Sequence, residues 1–263
     1  NKDVDAMSLA TEQLQGVLDG KVDLLDAMSI VRDTIAREAG LPEIIGKDER
    51  YWMFKVDTPA GGVISINHHM GQPTHSILLH ETTKLLHHAE ADRRVKPFEY
   101  FRLGTSGGLG IEGGDIVVAD KGLDPTGTPV YKLHVLGEVV EFPTEFDPAL
   151  AEAMFNCRDA VETNVVKGGT VSCDDFYTVQ ARRDGAFCMV KSEQDKLHYL
   201  DRLHKKGARN MEMEAAAFAA FCQKMGIPAV CVCTALLNRL NGDQVLATPA
   251  QLASFSDGPQ KML

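Results

Sequence analysis

Three short stretches of the chain carry side chains whose types and spacing suit ligand chemistry. In the first, Arg102 precedes Gly104-Thr105-Ser106-Gly107-Gly108. Glycines let backbone amides come close to an anion, a threonine hydroxyl adds a donor, and a guanidinium supplies two parallel charged hydrogen bonds. The same residues also read as a glycine-rich turn beside a surface arginine. In the second, Asn210-Met211-Glu212-Met213-Glu214 runs into Ala215-Ala216-Ala217-Phe218. A carboxylate at Glu214 can accept from both hydroxyls of a vicinal diol, with Met213 packed on the sugar. Alternatively, the two glutamates are solvated and complement a helix dipole. The third is Phe176-Tyr177-Thr178-Val179-Gln180-Ala181-Arg182. In an extended segment Gln180 and Arg182 point the same way. The carboxamide matches an N3–H and a carbonyl of a uracil ring, the arginine stabilises charge on the ring oxygens, and Phe176 offers an aromatic face. As a bare pattern this is equally an ordinary polar loop.

Other chemistries fail on spacing. Gly108, Gly110 and Gly113 match the dinucleotide fingerprint in form, but strand-like Asp115-Ile116-Val117-Val118-Ala119 follows where a helix is required. No glycine-lysine-serine/threonine phosphate loop is present. His80-Glu81 would open a zinc-protease motif, but Lys84 stands where its second histidine belongs. The His68-His69 and His87-His88 pairs are adjacent, which is not a ligand spacing.

The elements that must position these residues alternate in type. A helix is expected over Leu24–Ala39, and strands over Tyr51–Val56 and Gly62–Ile66 joined by a Pro-Ala-Gly-Gly turn. Pro73 starts a helix with an apolar stripe of Ile77, Leu78, Leu85, Leu86 and Ala89. Further strands are expected at Tyr100–Leu103, Asp115–Ala119, Cys188–Val190 and Ala229–Leu236. Further helices are expected at Ala149–Val161, Gln194–Lys206 and Ala215–Met225. Such alternation indicates an α/β domain with helices around a central sheet. At 263 residues and 44% hydrophobic content the chain can bury a sizeable core as one domain.

A formal charge of −10 argues against a general nucleic-acid or membrane binder, so an anionic ligand has to be held by a few placed arginines. The longest apolar run, Ile227–Leu237, is too short to span a bilayer and reads as a buried strand. Asn1–Asp5 shows no signal-peptide pattern. The six cysteines (Cys157, Cys173, Cys188, Cys222, Cys231 and Cys233) are read as reduced thiols of a cytoplasmic protein.

Taken in order, four motifs resemble one family, the nucleoside phosphorylases, and within it the eukaryotic-type uridine phosphorylases. They are Phe101 to Gly108; Asp175-Phe176-Tyr177 with Gln180 and Arg182; Asn210 to Glu214; and Leu237-Asn238-Arg239-Leu240-Asn241-Gly242-Asp243-Gln244. The likeness runs from about Met28 to the end and includes Asp48-Glu49-Arg50-Tyr51 and Met70-Gly71-Gln72-Pro73.

The resemblance implies a three-layer αβα fold with a mixed, barrel-like central sheet. It implies one domain over residues 1–263, with the N-terminal loop and final helix incomplete. It assigns phosphate to Arg102 and Thr105, with Arg50 donated across a homodimer interface. Ribose falls to Met213 and Glu214. Uracil falls to Phe176, Gln180, Arg182 and Arg239, with Arg239 on the O4 side. Uridine or uracil, phosphate and ribose 1-phosphate are the implied partners. No metal or organic cofactor is implied beyond a structural interface cation that some members carry. Two departures stand out. A glycine-rich phosphate turn is missing around Val22–Ala27, and a histidine that serves the ribose 5′ end falls near Ala6. The rival readings are a non-catalytic nucleoside-binding paralogue and a purine nucleoside phosphorylase.

Overall fold

The computed structural model describes residues 43–47, 51–58, 61–91 and 97–263, with the backbone alone for 43–47, 56–58 and 61. The expected helix over Leu24–Ala39, both departures and Arg50 lie outside the described residues.

The chain divides into two compact units, Asn1–His69 and Met70–Leu263. The described part of the first is an antiparallel sheet of β1 (Glu43–Lys47), β2 (Trp52–Thr58) and β3 (Gly61–Asn67), ordered β1-β2-β3. Its β2–β3 hairpin pairs Trp52 with Asn67 and Thr58 with Gly61. These are the two strands expected from the Pro-Ala-Gly-Gly signal: β2 begins one residue later and ends two later than expected, and β3 is longer by one residue at each end.

The second unit is built on a closed mixed barrel of five strands in the order β10-β4-β9-β8-β5, surrounded by helices. The strands are β4 (Tyr100–Gly108), β5 (Ile116–Leu123), β8 (Val165–Ser172), β9 (Ala208–Glu212) and β10 (Ala229–Asn238). The neighbours β10–β4, β5–β8 and β8–β9 are parallel, and β4–β9 and β10–β5 are antiparallel. The helices are α1 (Gln72–Ala91), α2 (Pro148–Asn156), α3 (Glu193–Lys205), α4 (Ala215–Met225) and α5 (Pro249–Lys261). A two-stranded hairpin, β6 (Val130–Val135) with β7 (Glu138–Pro143), lies outside the barrel.

The apolar run read as a buried strand is β10, and its alternation explains the layering. Ala229, Cys231 and Cys233 join α4 residues Ala215, Phe218, Ala219 and Cys222 in one core. Val230 and Val232 join Ala151 and Met154 of α2 in another. A strand covered on both faces has no polar side, which is why its sequence is continuously hydrophobic. Helix α4 begins and ends where its alanine-rich sequence predicts, and Gly226 closes it in the left-handed conformation at φ +67°.

Four expectations need correction. Gly104–Gly108 is not a turn but the second half of β4, because its backbone groups pair with β10 and then with β9. Cys188–Val190 forms no strand. Helix α1 buries His75, Leu78, Leu79 and Thr83, whereas Ile77 and Leu85 of the expected stripe are exposed at 44% and 62%. Packing against α4 selects a face rotated from the one the apolar pattern suggested. Finally, the expected helix over Ala149–Val161 stops at Asn156 and continues as a 3-10 turn over Cys157–Ala160.

Strand β5 and helix α4 approach each other closely at Gly122. A Cβ on Gly122 would stand 2.5 Å from Ala216 Cα and 2.8 Å from its nitrogen, so backbone would have to move. Gly122→Ala is therefore expected to destabilise the fold by about 1–3 kcal/mol, the usual cost of overpacking, measured by urea denaturation.

Candidate active site

Arg102 projects from β4 and is buried at 6% exposure. Its Nη2 donates to Glu212 Oε2 at 2.9 Å and to Glu214 Oε2. Its Nη1 donates to Cys231 Sγ at 3.3 Å and Cys233 Sγ at 3.4 Å. The acceptors come from three directions: Glu212 ends β9, Glu214 immediately precedes α4, and both cysteines lie on β10. Gly104 leaves room for this guanidinium, since a Cβ there would meet Nη1 at 3.3 Å and Nη2 at 3.4 Å.

Glu212 is also the N-terminal cap of α4. Its Oε2 accepts from Glu214 N at 2.8 Å and its Oε1 from Ala215 N at 2.9 Å, consuming two donors that a helix start leaves unpaired. Gly71 N donates to Glu214 Oε1, which orients that carboxylate from its other side. The two glutamates are thus not solvated but 4% and 3% exposed.

Burial shapes the protonation of this group. Desolvation pushes the Glu212 carboxyl up, to about 8, against the pull of Arg102 and the Ala215 amide. One guanidinium cannot fully offset two buried carboxylates, so burial disfavours ionising both. Desolvation alone would depress Arg102, but Glu212, the two thiols and Glu214 outweigh it and raise the guanidinium further. Cys231 is drawn down to about 7 by the hydrogen bond from Cys233 and by Arg102, against its burial.

A second cluster centres on Gln180, at 3% exposure, and Arg239, at 0%. Arg239 Nη2 donates to Gln180 O at 2.8 Å, Nη1 reaches Gln180 Oε1 at 3.4 Å, and Nε donates to Asp243 Oδ1 at 2.6 Å. Asp243 Oδ2 takes Lys196 Nζ at 2.7 Å, and Asp243 O takes Arg182 Nη1 at 3.2 Å. Gly107 lets the Arg239 stem pass, because a Cβ there would lie 2.8 Å from its Cγ. The Arg182 guanidinium stacks over Phe176 at 4.1 Å from the ring centre. Burial and then the nearby Arg239 charge lower the Arg182 pKa.

The route that brings Gln180 and Arg182 together differs from the expected extended segment. Residues 176–181 form turns, with Asp175 Oδ1 accepting from Thr178 N and Val179 N, and Arg182 N donating to Tyr177 O at 2.8 Å. Ala181 sits at φ +56° to complete the reversal. Glu212 joins the clusters: its carboxylate holds Arg102, and its backbone oxygen lies 3.5 Å from Gln180 Nε2. Among the described residues, Arg102 Nε and Arg182 Nε are buried without a hydrogen-bond partner, two charged donors still to be satisfied.

Of the residues singled out in the sequence, Arg102 and Glu214 are in direct contact, as are Gln180 with Arg239 and Arg182 with Phe176. Met213 is half-buried between Glu212 and Glu214, and Thr105 is exposed three residues beyond Arg102 on β4. Sequence reasoning missed the structural roles of Glu212, Asp243 and Lys196. The first two stand inside quoted motifs, and the i,i+4 spacing of Arg239 and Asp243 was a readable ion-pair signal. Lys196 carries no sequence signal.

Residues 26–255 match the family described as Phosphorylase superfamily. Uridine phosphorylase 2 of Mus musculus is 40% identical over 225 residues, covering 85% of this chain and 67% of its own length. Inactive uridine phosphorylase B of Schistosoma mansoni is 33% identical over 236 residues, covering 88% of this chain and 77% of its own. The crystal structure of Schistosoma mansoni uridine phosphorylase in complex with uracil superimposes with a TM-score of 0.77 at 36% identity, over 87% of this chain and 78% of that one.

Because Arg102 offsets two buried carboxylates, removing its charge should be costly even without ligand. Arg102→Met is expected to lose about 3–5 kcal/mol of unfolding free energy at neutral pH, read by chemical denaturation. A loss of under about 1 kcal/mol, the range of an exposed ion pair, would show that the cluster is solvated.

Proposed function

The chain belongs to the phosphorylase superfamily, and on that basis we propose that it is a uridine phosphorylase, converting uridine and phosphate to uracil and ribose 1-phosphate. The observation that carries this reading is the joining of an arginine–glutamate pair to a buried carboxamide–arginine pair through one residue, Glu212. This link would set the proposed phosphate and ribose sites beside a donor–acceptor edge that suits a pyrimidine.

In the proposed reaction Arg102 and Thr105 hold phosphate, with Arg50 supplied across a homodimer interface. Glu214, fixed by Gly71 and Arg102, accepts from the 2′ and 3′ hydroxyls of ribose, and Met213 packs on the sugar. A phosphate oxygen forms a bond to C1′ as the C1′–N1 bond lengthens, and the bonding pair leaves with uracil. The ribose ring passes through an oxocarbenium-like state opposite the phosphate dianion. Gln180 and Arg182 meet the charge gathering on the base, with Phe176 as its aromatic wall. Donors held in a dry site act most strongly where charge is fully developed, so they lower the barrier more than they tighten substrate binding. The chemistry needs no metal or organic cofactor, and a cytoplasmic homodimer is the setting we propose.

Ultraviolet absorbance with uridine, with and without phosphate, and with inosine in parallel, tests the reading. Uracil release that requires phosphate, with inosine inert, is the expected result. Uridine binding without turnover would replace the enzyme with a nucleoside-binding protein, and turnover of inosine alone would replace it with a purine phosphorylase.

A further inference from the structure

Lys196 is a buried charged residue near the site that the proposed chemistry does not use. It lies on α3, is 2% exposed, and its ammonium is shared between Asp243 Oδ2 and Glu193 Oε1, each at 2.7 Å. Burying an ammonium is costly unless it is paired, so its placement calls for a structural reason.

That reason lies in what Asp243 does with its other groups. Its Oδ1 takes Arg239 Nε at 2.6 Å, and its backbone oxygen takes Arg182 Nη1 at 3.2 Å. Arg239 in turn holds Gln180 at two points, the backbone oxygen at 2.8 Å and Oε1 at 3.4 Å. A guanidinium has donors only, so Arg239 can face the Gln180 amide only through oxygen. The Gln180 NH₂ is thereby turned to the other side, where Nε2 lies 3.5 Å from Glu212 O. Burial pushes the Asp243 carboxyl up, but hydrogen bonds from Lys196 and Arg239 outweigh this and hold it below the usual carboxylate range. It therefore stays an acceptor for both cations throughout the neutral range.

We infer that Lys196 and Asp243 are positioning residues for base recognition: the lysine locks the aspartate, the aspartate locks Arg239, and Arg239 fixes which edge the Gln180 amide presents. This inference rests on the uridine phosphorylase reading and deepens it. It assigns the preference for a cyclic imide edge to a lysine whose ammonium pairs with Asp243 and Glu193. Without the ammonium, Asp243 loses the donor on Oδ2 and can rotate about its Cβ–Cγ bond. Arg239 Nε then loses its fixed acceptor, and the amide it grips becomes free to flip.

The test uses the full chain with Lys196→Met, Lys196→Arg and Asp243→Asn, comparing KM for uridine, KM for phosphate, inhibition by uracil and the melting temperature. Lys196→Met and Asp243→Asn should each raise the uridine KM and the uracil inhibition constant roughly tenfold, the loss of one charge-assisted hydrogen bond, with phosphate KM unchanged. Lys196→Arg, which keeps the charge, should recover most of the loss. Uridine and phosphate KM rising together, no change in either, or an arginine variant as impaired as the methionine one would each overturn the inference. If Lys196→Met shows no cooperative melt, the near-isosteric Asp243→Asn decides by the same split. If the parent protein does not turn over uridine, the functional reading fails, and calorimetric binding of uracil to parent and variants decides the inference. A tenfold weaker Kd in the variants would sustain it, and equal Kd values or no uracil binding by the parent would overturn it.

Discussion

A guanidinium withdrawn from water needs acceptors at nearly every donor, and the demands of Arg102 organise this molecule more than any other single group. Its partners come from the end of β9, the start of α4 and two positions of β10, so satisfying it draws three neighbouring strands and a helix to one point. The same contacts fix the Arg102–Glu214 pair on which the proposed phosphate and ribose sites rest. Each glutamate serves two purposes: Glu212 also caps α4, and Glu214 also accepts from Gly71 ahead of α1. A carboxylate bound from several sides has little rotational freedom, which is the preorganisation that differential binding of a transition state relies on.

The Gln180–Arg239 cluster follows the same logic with different components. Its glycine, Gly107, serves to let an arginine stem pass between strands rather than to wrap an anion. Its charges alternate through Lys196, Asp243 and Arg239, so each buried ion has an opposite neighbour. Burial and the Arg239 charge lower the Arg182 pKa, and its guanidinium stacks on Phe176.

A relative named uridine phosphorylase 2 and one named inactive uridine phosphorylase B match this chain at 40% and 33% identity, so family membership alone does not decide turnover. In this chain the buried ionic groups around Arg102 and Arg239 form complete networks, apart from the two arginine Nε donors left unpartnered. Buried charge of this kind is expensive to retain for stability alone.

Much of this was legible in the sequence because it depends on local pattern. The continuous apolar run at β10, the alanine-rich α4 closed by Gly226, and the ordered motifs from Arg102 to Asp243 follow from residue type and spacing. What sequence alone could not decide was burial and direction. The two glutamates read equally well as solvated helix-start residues, and only the convergence of β4, β9 and β10 makes them partners of one guanidinium. The glycine segment read as a turn, but pairing with strands distant in sequence made it β4. Gln180 and Arg182 were expected to align through an extended backbone, yet a turn capped by Asp175 brings them together. Lys196 had no readable role because its meaning comes from Asp243, nearly fifty residues away and adjacent only in the fold. Periodicity and motif are properties of neighbours along the chain, whereas desolvation is set by whatever tertiary packing places around a group, and there the sequence is silent.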